Sequence, residues 1–526
     1  MECFCVRQTD VPGTSKLFAD LIYHFDRVAD LYPFPTGDVN SLVAASRFDF
    51  PDSRRAQLVK AITPLNQGNP NLARLAKPGT VAIVTGQQVG LFSGPAYTVF
   101  KALTAIKAAR ALNEAGVEAV PIFWLATEDH DFAEIDNAWV FGTDHQPAQI
   151  RLKSEPTSGS ARPVGGIAPG PYPIDDLRAA LAGLPFADET VELVQRAYSP
   201  GATMGSAFAQ IVRELLAPYD ILLVDPMAPE LIEMRAPLMA EVIQRTSELV
   251  EPLIARSKEL VTRGYHAQVL VDQQASLTFL LDGGERIPLK HAKGEFHAGH
   301  HKYSAADLAA RARDLSPNAL LRPVVQDYLL PTAAYIGGPA ELAYLAQSQV
   351  LYRALLGRQP AAFPRAFFTL IDERSHKRMA RYGLSPSDVF VTEQALQARV
   401  GARLVPEPLR ARLDQTRSSV AATLDALSGD LSRFDISLAS ALDTSRRKIE
   451  YQVSKIARKT AAQILMRDEQ ATRDAHSLSG LIFPAKHLQE RLYSILPFLA
   501  KFGPSLIGEI ESAVRIDCPD HQFMVV

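Results

Sequence analysis

The stretch from Val81 to Lys101, VAIVTGQQVGLFSGPAYTVFK, restricts the fold of this chain more than any other part of the sequence. Its first residues are apolar and β-branched, which predicts a buried parallel strand that ends at Gly86. Gly94 and Pro95 then match the N-cap and the first position of a helix. The next apolar run, residues 118–126, predicts a second strand. This order forms a βαβ unit, so the sequence predicts an α/β fold with a Rossmann-like parallel sheet.

Polar residues follow both predicted strands, at the point where each strand ends. The loop after the first strand carries Thr85, Gly86, Gln87 and Gln88, and the loop after the second carries Glu128, Asp129, His130 and Asp131. The carboxyl ends of parallel strands meet at one edge of a sheet, where open α/β folds bind ligands and a helix N-terminus attracts anions. We therefore predict that the acidic cluster is catalytic and that the first loop, with Gly94, binds substrate.

Two side chains of the first predicted helix are candidates for the same site. Tyr97 lies in the first turn of this helix and Lys101 lies one turn later, so both can reach the predicted crevice. The alternative is that Tyr97 packs in the core and that Lys101 belongs to a solvated helix face.

A second strand and helix repeat this arrangement later in the chain. Residues 332–336 predict a short apolar strand, Gly337 and Gly338 a turn, and Pro339 to Glu341 the start of a helix. The repeated Gly-Pro-Ala predicts two helix N-termini that face one crevice, with Gly337, Gly338 and Glu341 as substrate-binding residues. A generic Gly-Pro helix start explains the repeat equally well.

The segment RPVVQDYLLP, which precedes this strand, supplies three more candidates for substrate binding: Arg322, Gln326 and Asp327. Arg322 can bind a carboxylate through two parallel hydrogen bonds. A surface ion pair is the competing interpretation of this arginine.

The segment HAGHH, from His297 to His301, contains the HxGH pattern with which cysteinyl-tRNA-synthetase-like ligases bind nucleotides. That pattern has to stand at a helix N-terminus directly after the first Rossmann strand, and here the loop with Gln87 and Gln88 holds that position. We therefore interpret the match as a decoy that precedes a helix capped by Ser304. A metal site on these histidines is a weaker interpretation still, and no metal site is predicted.

The chain divides into three predicted parts. Residues 1–390 form the Rossmann-like core, residues 391–470 form a coiled-coil arm of long α-helices, and residues 471–526 form a helical segment that returns to the core. The length of the chain favours such a division, because single hydrophobic cores rarely grow to this size.

Two insertions are predicted within the core. Residues 143–200 are rich in Gly, Pro and small polar residues, which predicts a loop-rich connecting peptide across the active site rather than a second core. Residues 264–318 alternate between apolar and polar, which predicts an antiparallel piece with a hairpin turn at residues 282–284. Residues 363–371 predict a last strand of the core, followed by a helix.

The predicted arm contains almost no Gly or Pro between Leu409 and Leu465. Apolar residues recur there at alternating spacings of three and four, which is the pattern of a coiled coil. Either two long antiparallel helices form, with a turn near residues 437–440, or one long helix pairs with another subunit.

Charge and cysteine content exclude several classes of protein. The formal net charge of −3 gives no general attraction to nucleic acid or to an anionic membrane, and no uncharged run approaches the length of a membrane span. The three cysteines, Cys3, Cys5 and Cys518, fit neither a disulfide framework nor a zinc ribbon. We therefore expect a cytoplasmic protein.

Three motifs resemble one known family, the bacillithiol biosynthesis cysteine-adding enzymes called BshC, which are regarded as cysteine ligases. They are TGQQVGLFSGPAYTVFKA, WLATEDHDFAEID and RPVVQDYLLPTAAYIGGPAELAYLAQ. The resemblance covers nearly the whole chain, including VPGTSKLFADLIYHFDRVADLYPF and the helical C-terminal third. Val89 and Ser93 stand where the family usually has Pro and Gly, and neither departure removes a candidate catalytic group.

The resemblance implies the last step of bacillithiol biosynthesis. Its substrates are then cysteine and glucosaminyl-malate, joined by an amide between the cysteine carboxyl and the sugar amine. A carboxylate must be activated before an amine attacks it, so ATP, with Mg²⁺, is the expected cosubstrate, and no tightly bound cofactor is expected. The resemblance also implies a homodimer formed through the coiled-coil arm.

Under this interpretation, residues 128–131 supply the general base and hold the cysteine ammonium. Gln87, Gln88 and the backbone beyond Gly94 position the activated carboxyl or a phosphate. Neither the lysine-rich KMSKS loop of the synthetases nor a P-loop is present, so the route of activation stays open.

Two other functions remain as alternatives. A Rossmann-like transferase with a nucleotide-sugar or another phosphorylated donor would use the same anion-binding helix termini. A noncatalytic coiled-coil scaffold is the third interpretation, and the acidic cluster at a strand end argues against it.

Overall fold

The computed structural model describes residues 2–153 and 161–526. Its strands, in chain order, are β1 Glu2–Val6, β2 Val81–Gln87, β3 Ala119–Leu125, β4 Asn137–Phe141, β5 Pro147–Arg151, β6 Leu222–Val224, β7 Ala275–Asp282, β8 Glu285–Ala292, β9 Glu295–Ala298, β10 His301–Tyr303, β11 Leu315–Pro317, β12 Thr332–Gly337, β13 Ala361–Pro364, β14 Phe367–Ile371 and β15 His521–Val525.

The α-helices, in chain order, are α1 Lys16–Tyr23, α2 Val39–Ala45, α3 Asp52–Ile62, α4 Asn71–Leu75, α5 Tyr97–Glu114, α6 Phe132–Ile135, α7 Ile174–Leu181, α8 Ala187–Ala197, α9 Met204–Leu215, α10 Pro229–Gln244, α11 Thr246–Thr262, α12 Ala305–Ala310, α13 Arg322–Leu329, α14 Pro339–Leu355, α15 Glu373–Arg381, α16 Glu393–Leu404, α17 Glu407–Phe434, α18 Ile436–Arg467, α19 Glu469–Ile482, α20 Gln489–Leu492, α21 Leu496–Phe502 and α22 Leu506–Ala513. Within the described ranges, no helix is long and apolar enough to cross a membrane.

The central sheet consists of five parallel strands in the order β13-β12-β2-β3-β6. Alternate residues of β2 enter different apolar cores: Val81 and Ile83 pack on one face, and Ala82 and Val84 on the other. Both faces are therefore buried, as the continuous apolar run requires. The predicted Rossmann-like sheet and its βαβ unit are confirmed, with β2 one residue longer than predicted.

The start of helix α5 differs from the prediction. The helix begins at Tyr97, so the assignment of Gly94 to the N-cap and Pro95 to the first helical position was wrong. Gly94 instead follows a short 3-10 turn with a φ of +64°, a conformation that favours glycine. The Ala96 N–H, just ahead of the helix, donates to the carbonyl of Tyr493 at 2.7 Å, so a distant segment satisfies this N–H group.

Helix α14 begins as predicted. Gly338 is its N-cap and Pro339 its first residue. The Gly338 N–H donates to the Glu341 carboxylate at 2.9 Å, which satisfies one of the free N–H groups of the helix start. The Gly-Pro-Ala repeat therefore has two structural outcomes, and only the second copy starts a helix at its proline.

The first insertion contains more regular structure than predicted. Residues 154–160 of the predicted loop lie outside the described residues. Helices α7 and α8 follow, and Leu177, Leu181, Val191 and Val194 on them are fully buried in the main apolar core. The prediction of a loop-rich insertion was wrong for this part, because the Gly- and Pro-rich composition ends before α7.

The second insertion forms a five-stranded antiparallel sheet in the order β10-β9-β8-β7-β11, and the predicted hairpin turn joins β7 to β8. The HAGHH segment lies in the hairpin of β9 and β10, and Ser304 caps α12 as predicted. The HxGH pattern is therefore not at a Rossmann helix start. The described residues contain no group of three side chains suited to hold a metal ion.

Residues 363–371 do not form one strand. β13 ends at Pro364 in the central sheet, and β14 begins at Phe367 in a separate three-stranded sheet ordered β1-β15-β14. The prediction of a single core strand was wrong, because Arg365 and Ala366 carry the chain from one sheet to the other. The helix predicted after this segment is α15, capped by Asp372.

The arm is a pair of long helices, α17 and α18, that pack on each other and reverse direction at Asp435. The Asp435 carboxylate accepts the Ser437 N–H at 2.8 Å and so caps the second helix. This matches the antiparallel alternative, with the turn a few residues earlier than predicted. Several apolar side chains of the arm are exposed: Leu427, Phe434, Leu438, Ile449 and Ile456.

Candidate active site

A cavity of about 400 Å³ opens at the carboxyl ends of β2, β3 and β12, the predicted edge of the sheet. The first residue of α5 and the start of α14 both lie in its wall, so two helix N-termini border one crevice. The predicted site residues in this wall are Gly86, Gln87, Gln88, Tyr97, Glu128, Asp129, His130, Arg322, Gly338 and Glu341.

Other predicted residues lie behind the wall or away from it: Thr85, Gly94, Lys101, Asp131, Gln326, Asp327 and Gly337. The Thr85 hydroxyl donates to the Ile336 carbonyl and ties β2 to β12. Asp131 caps the short helix α6. Gln326 and Asp327 are fully buried, and Asp327 accepts a hydrogen bond from the Tyr352 hydroxyl. The structure therefore gives Thr85, Asp131, Gln326 and Asp327 scaffold contacts.

Glu128 is held at the cavity by a buried ion pair. Its Oε2 accepts a hydrogen bond from Arg235 at 2.8 Å and another from the Ser316 hydroxyl at 3.2 Å, and both charged side chains are almost inaccessible. Its Oε1 is buried and has no hydrogen-bond partner among the described residues. Because Glu128 also lines the cavity, this oxygen is a candidate acceptor for a ligand ammonium or hydroxyl.

A second buried pair lies beneath the helix starts. The Lys101 ammonium donates to the Gly86 carbonyl at 2.7 Å, to Gln87 Oε1 at 3.0 Å and to Glu341 at 2.8 Å. Glu341 also accepts from the Tyr335 hydroxyl at 2.7 Å. All three donors of Lys101 are therefore in use. Lys101 fixes the amide of Gln87 rather than facing solvent, which rules out the solvated helix face.

Asp129 is oriented by two donors. Its Oδ2 accepts from the Gln88 amide at 2.8 Å, and its Oδ1 accepts from the His130 N–H at 2.7 Å. Burial raises the pKa of Asp129, but these hydrogen bonds and nearby Arg286 outweigh burial and lower the pKa below its usual value. Asp129 is therefore a carboxylate at neutral pH.

The first insertion contacts the same loop. The Val164 N–H donates to the Asp129 carbonyl at 2.7 Å, and the Gly165 N–H donates to the Thr127 carbonyl at 2.9 Å. A Cβ at residue 165 would meet the Thr127 Cβ at 2.4 Å, so this close approach requires glycine. The first insertion thus holds the loop of residues 127–131, here called the acidic loop, in place.

His130 faces the second insertion. Its Nδ1 lies 2.8 Å from an N–H of Arg286, and its ring packs against Phe279, with 5.4 Å between the ring centres. Burial, followed by the charge of Arg286, lowers the pKa of His130, so the imidazole is neutral at pH 7.

Arginines give the cavity its positive charge. Arg365 pairs with both oxygens of Glu490, at 2.8 and 2.7 Å, and is thereby neutralised. Arg322 donates to the Tyr344 hydroxyl at 2.6 Å and forms no ion pair with any described residue, which argues against the surface ion pair. Arg491 at the rim likewise has no carboxylate partner among the described residues. Arg322 and Arg491 are thus free to bind anions.

The cavity combines two complementary binding capacities. Arg322 offers an unpaired guanidinium, and Glu128 offers an unpaired carboxylate oxygen. A zwitterion such as a free amino acid presents the opposite charge to each of these groups. The charges of the lining therefore suit a small molecule with one carboxylate and one ammonium.

Family models match nearly the entire chain. The model for the N-terminal Rossmann-like domain of bacillithiol biosynthesis BshC matches residues 1–366, and the model for its C-terminal coiled-coil domain matches residues 368–526. The chain belongs to the BshC family. The resemblance seen in the motifs is thereby confirmed.

Curated relatives cover the same length. A protein of Solibacter usitatus is 49% identical over 100% of both chains. A protein of Koribacter versatilis is 33% identical over 99% of both, and one of Salinibacter ruber is 30% identical over 97% of this chain and 96% of its own. Each of these relatives carries the name "Putative cysteine ligase BshC".

Sequence reasoning missed several basic residues of this BshC-family site. Arg286 follows the predicted hairpin turn, Arg365 lies between two apolar runs, and Arg235 and Arg491 lie on helices far from the motifs. The one usable signal was the position of Arg365 inside the apolar run FPRAFF. An arginine in such a run is buried and therefore needs a charged partner. The other three are brought to the site only by the tertiary fold.

A smaller cavity of about 220 Å³ adjoins the first and shares Gln87, Gln88, Tyr97 and Arg491 with it. Its remaining wall carries polar and aromatic side chains, among them Asn137, Trp139 and His487, together with the predicted residue Gly94. Gly94 therefore borders the smaller cavity instead of starting a helix at the larger one.

Proposed function

We propose that this protein is an ATP-dependent cysteine ligase that joins the carboxyl group of cysteine to the amine of glucosaminyl-malate in the last step of bacillithiol biosynthesis. Membership of the BshC family and the names of the relatives support a cysteine ligase. The observation that carries the proposal is the unpaired Glu128 oxygen in the same cavity as the unpaired Arg322.

Cysteine binds in the larger cavity in this proposal. Arg322 holds the carboxylate through charge-assisted hydrogen bonds, and Glu128 Oε1 accepts from the ammonium. The start of helix α14 at Gly338 and Ala340 also borders this cavity and favours negative charge. Negative charge that develops on the carbonyl oxygen when the amine attacks the activated carboxyl group is stabilised there.

Activation uses ATP, with Mg²⁺ as the counterion of its phosphates, because an amine does not displace oxide from a free carboxylate. The attacking sugar ammonium has to lose a proton first. Asp129 is the candidate base, since it is ionised and lies in the cavity wall.

Glucosaminyl-malate extends into the smaller cavity in this proposal. Arg491 lies between the two cavities and is free to bind a malate carboxylate. Trp139 offers an aromatic surface for the sugar ring, and Asn137 offers an amide for its hydroxyls. The shared wall at Gln87 and Gln88 brings the sugar amine next to the cysteine carboxyl group.

The test is a reaction with carboxyl-¹⁸O-labelled cysteine, glucosaminyl-malate, ATP and Mg²⁺, followed by mass spectrometry. We expect bacillithiol together with one ¹⁸O in AMP, for an adenylate, or in phosphate, for an acyl phosphate. Absence of the amide product from folded protein would contradict the ligase. Turnover of a nucleotide-sugar instead, in a parallel incubation, would favour the transferase.

The arm mediates homodimer formation in this proposal, because its helices expose apolar residues such as Ile449 and Ile456. Sedimentation velocity should give a dimer for the unmodified chain and a monomer for the double variant Ile449→Glu, Ile456→Glu. Lys448→Glu, at a neighbouring exposed position, is the matched control and should remain dimeric. A monomeric unmodified chain would contradict the proposal.

The reaction belongs in the cytoplasm, where cysteine is reduced and ATP is available. The free cysteines Cys3, Cys5 and Cys518 are compatible with that compartment.

A further inference from the structure

Arg286 joins the second insertion to the acidic loop. It lies on β8, and its guanidinium donates to the Ser316 hydroxyl at 3.0 Å, to the Pro317 carbonyl at 2.7 Å and to His130 Nδ1 at 2.8 Å. The guanidinium also lies 3.8 Å from the centre of the Phe279 ring. The arginine side chain is almost completely buried, so its position is fixed on several sides.

The chemistry of this contact defines the tautomer of His130. A guanidinium has only donors and stays protonated, so the atom that faces it must accept. Nδ1 therefore carries the lone pair, and the proton of the neutral imidazole is on Nε2. Asp129 Oδ1 could stabilise the opposite tautomer, but it lies 3.6 Å from Nδ1, too far for a hydrogen bond.

The Nε2–H of His130 has no hydrogen-bond partner among the described residues, and His130 lies in the cavity wall. We infer that Arg286 is a positioning residue that holds His130 as a neutral hydrogen-bond donor, with its Nε2–H available to an oxygen of the activated cysteine carboxyl group. The identity of that oxygen rests on the proposed function, whereas the tautomer does not.

This arrangement excludes His130 as the general base. Its acceptor nitrogen already binds Arg286, and a second proton would place an Nδ1–H against the guanidinium. The charged groups that face the ring are Asp129, Asp131 and Arg286. The two carboxylates favour the imidazolium, but burial and the arginine outweigh them. The proton of the sugar ammonium therefore passes to a carboxylate.

The test is long-range ¹H–¹⁵N spectroscopy of ¹⁵N-histidine-labelled protein, with His130→Gln to assign the signal. We expect a protonated Nε2 and an unprotonated Nδ1 in the free protein, with a pKa of His130 below the ordinary value of histidine. Arg286→Met should shift the proton to Nδ1, towards Asp129, and raise the pKa of His130. Arg491→Met, which also removes a positive charge from the cavity, should leave the tautomer unchanged.

A proton on Nδ1 of His130 in the unmodified protein, or titration near its ordinary pKa, would overturn the inference whether or not the protein ligates cysteine. If Arg286→Met does not fold, Arg286→Lys keeps a donor and should retain the Nε2–H tautomer. These readouts are independent of turnover, so failure of the ligase proposal is recognised separately, by the absence of product.

Turnover tests the role of the donor. His130→Ala should lower kcat about 10²-fold to 10³-fold, the usual effect of removing one such donor. His130→Gln keeps an N–H, so its kcat should be about tenfold higher than that of His130→Ala. This difference corresponds to roughly one hydrogen bond. Equal losses for both variants, together with a lost acidic limb of the pH profile, would overturn the donor role and favour a general base.

Discussion

Two ion pairs with nearly the same geometry lie in different parts of the molecule. Arg235 and Glu128 are 2.8 Å apart beneath the cavity, with side chains 0% and 3% exposed. Arg417 and Asp414 are 2.9 Å apart on the arm, with side chains 61% and 56% exposed. The distances are nearly identical, so the difference between the pairs is burial.

Burial changes what each pair does. The buried pair has displaced its hydration shell, and removal of one partner leaves an uncompensated charge in the core. The exposed pair keeps much of its water, so its loss is largely compensated by solvent. In the core, the ion pair therefore fixes the position of the Glu128 carboxylate. On the arm, the charged side chains keep the surface beside the apolar residues solvated.

The largest expected effect is that of Arg235→Met. Glu128 would keep only the Ser316 hydroxyl, so the free energy of unfolding should fall by about 3 to 5 kcal/mol. Urea denaturation followed by tryptophan fluorescence measures this effect, since both tryptophans, Trp124 and Trp139, lie in the core region.

The double variant Arg235→Met, Glu128→Leu is the matched control, because it removes both charges. It should recover much of the lost stability while remaining inactive. A loss below about 1 kcal/mol for Arg235→Met alone would show that water or a neighbouring group replaces the arginine, and the comparison of the two pairs would fail.

An intermediate effect is expected for Asp372 and Lys501, which are 2.6 Å apart and 18% and 15% exposed. Burial alone would raise the pKa of Asp372, but hydrogen bonds from Lys501 and Ser375 lower it to about 2. Burial lowers the pKa of Lys501, yet lysine stays charged in acid, so within this pair Asp372 sets the acid response. About 2 kcal/mol of stability should be present above pH 4 and lost as the pH falls towards 2.

Lys501→Met should remove most of this acid dependence, since only the Ser375 hydrogen bonds remain, and should lower the stability at pH 7. Lys377→Met, which removes the exposed partner of Glu373 on α15, is the control and should change stability by less than about 0.5 kcal/mol. Denaturation curves at pH 7, 4 and 2.5 provide the measurement. If stability falls between pH 4 and pH 2.5 as steeply in Lys501→Met as in the unmodified protein, the role given to this pair is contradicted.

The smallest effect is expected on the arm. Arg417→Met repeats the substitution made at Arg235, and it should lower stability by less than about 0.5 kcal/mol. Helical circular dichroism during urea denaturation reports on the arm, which contains no tryptophan. A loss above about 2 kcal/mol would mean that this surface is buried against another chain.

The sequence predicted those parts of the fold that depend on local patterns. The apolar runs of β2 and β3 and the polar residues directly after them were recognisable, because strand periodicity and strand ends are local properties. The spacing of apolar residues also predicted the arm. The start of α14 at Pro339 followed from the Gly-Pro pair.

The failures have a common physical cause. Gly94 does not cap α5 because its φ is positive, whereas an N-cap residue is extended, and the segment around it is held by Tyr493, distant in the chain. Residues 363–371 were predicted as one strand because a switch between sheets leaves no local signal. Arg286 and Arg235 reach the site from other elements. Local periodicity cannot show such contacts, since only the tertiary fold creates them.

The most direct test of the central claim is the binding of cysteine itself, measured by calorimetry beside cysteamine, which lacks the carboxylate, and 3-mercaptopropionate, which lacks the ammonium. Arg322→Met should weaken cysteine binding about tenfold to a hundredfold and leave cysteamine binding unchanged. Arg491→Met is the control and should bind cysteine normally. Cysteine binding that is equally tight in Arg322→Met and the unmodified protein would contradict the account, because the carboxylate would then bind elsewhere.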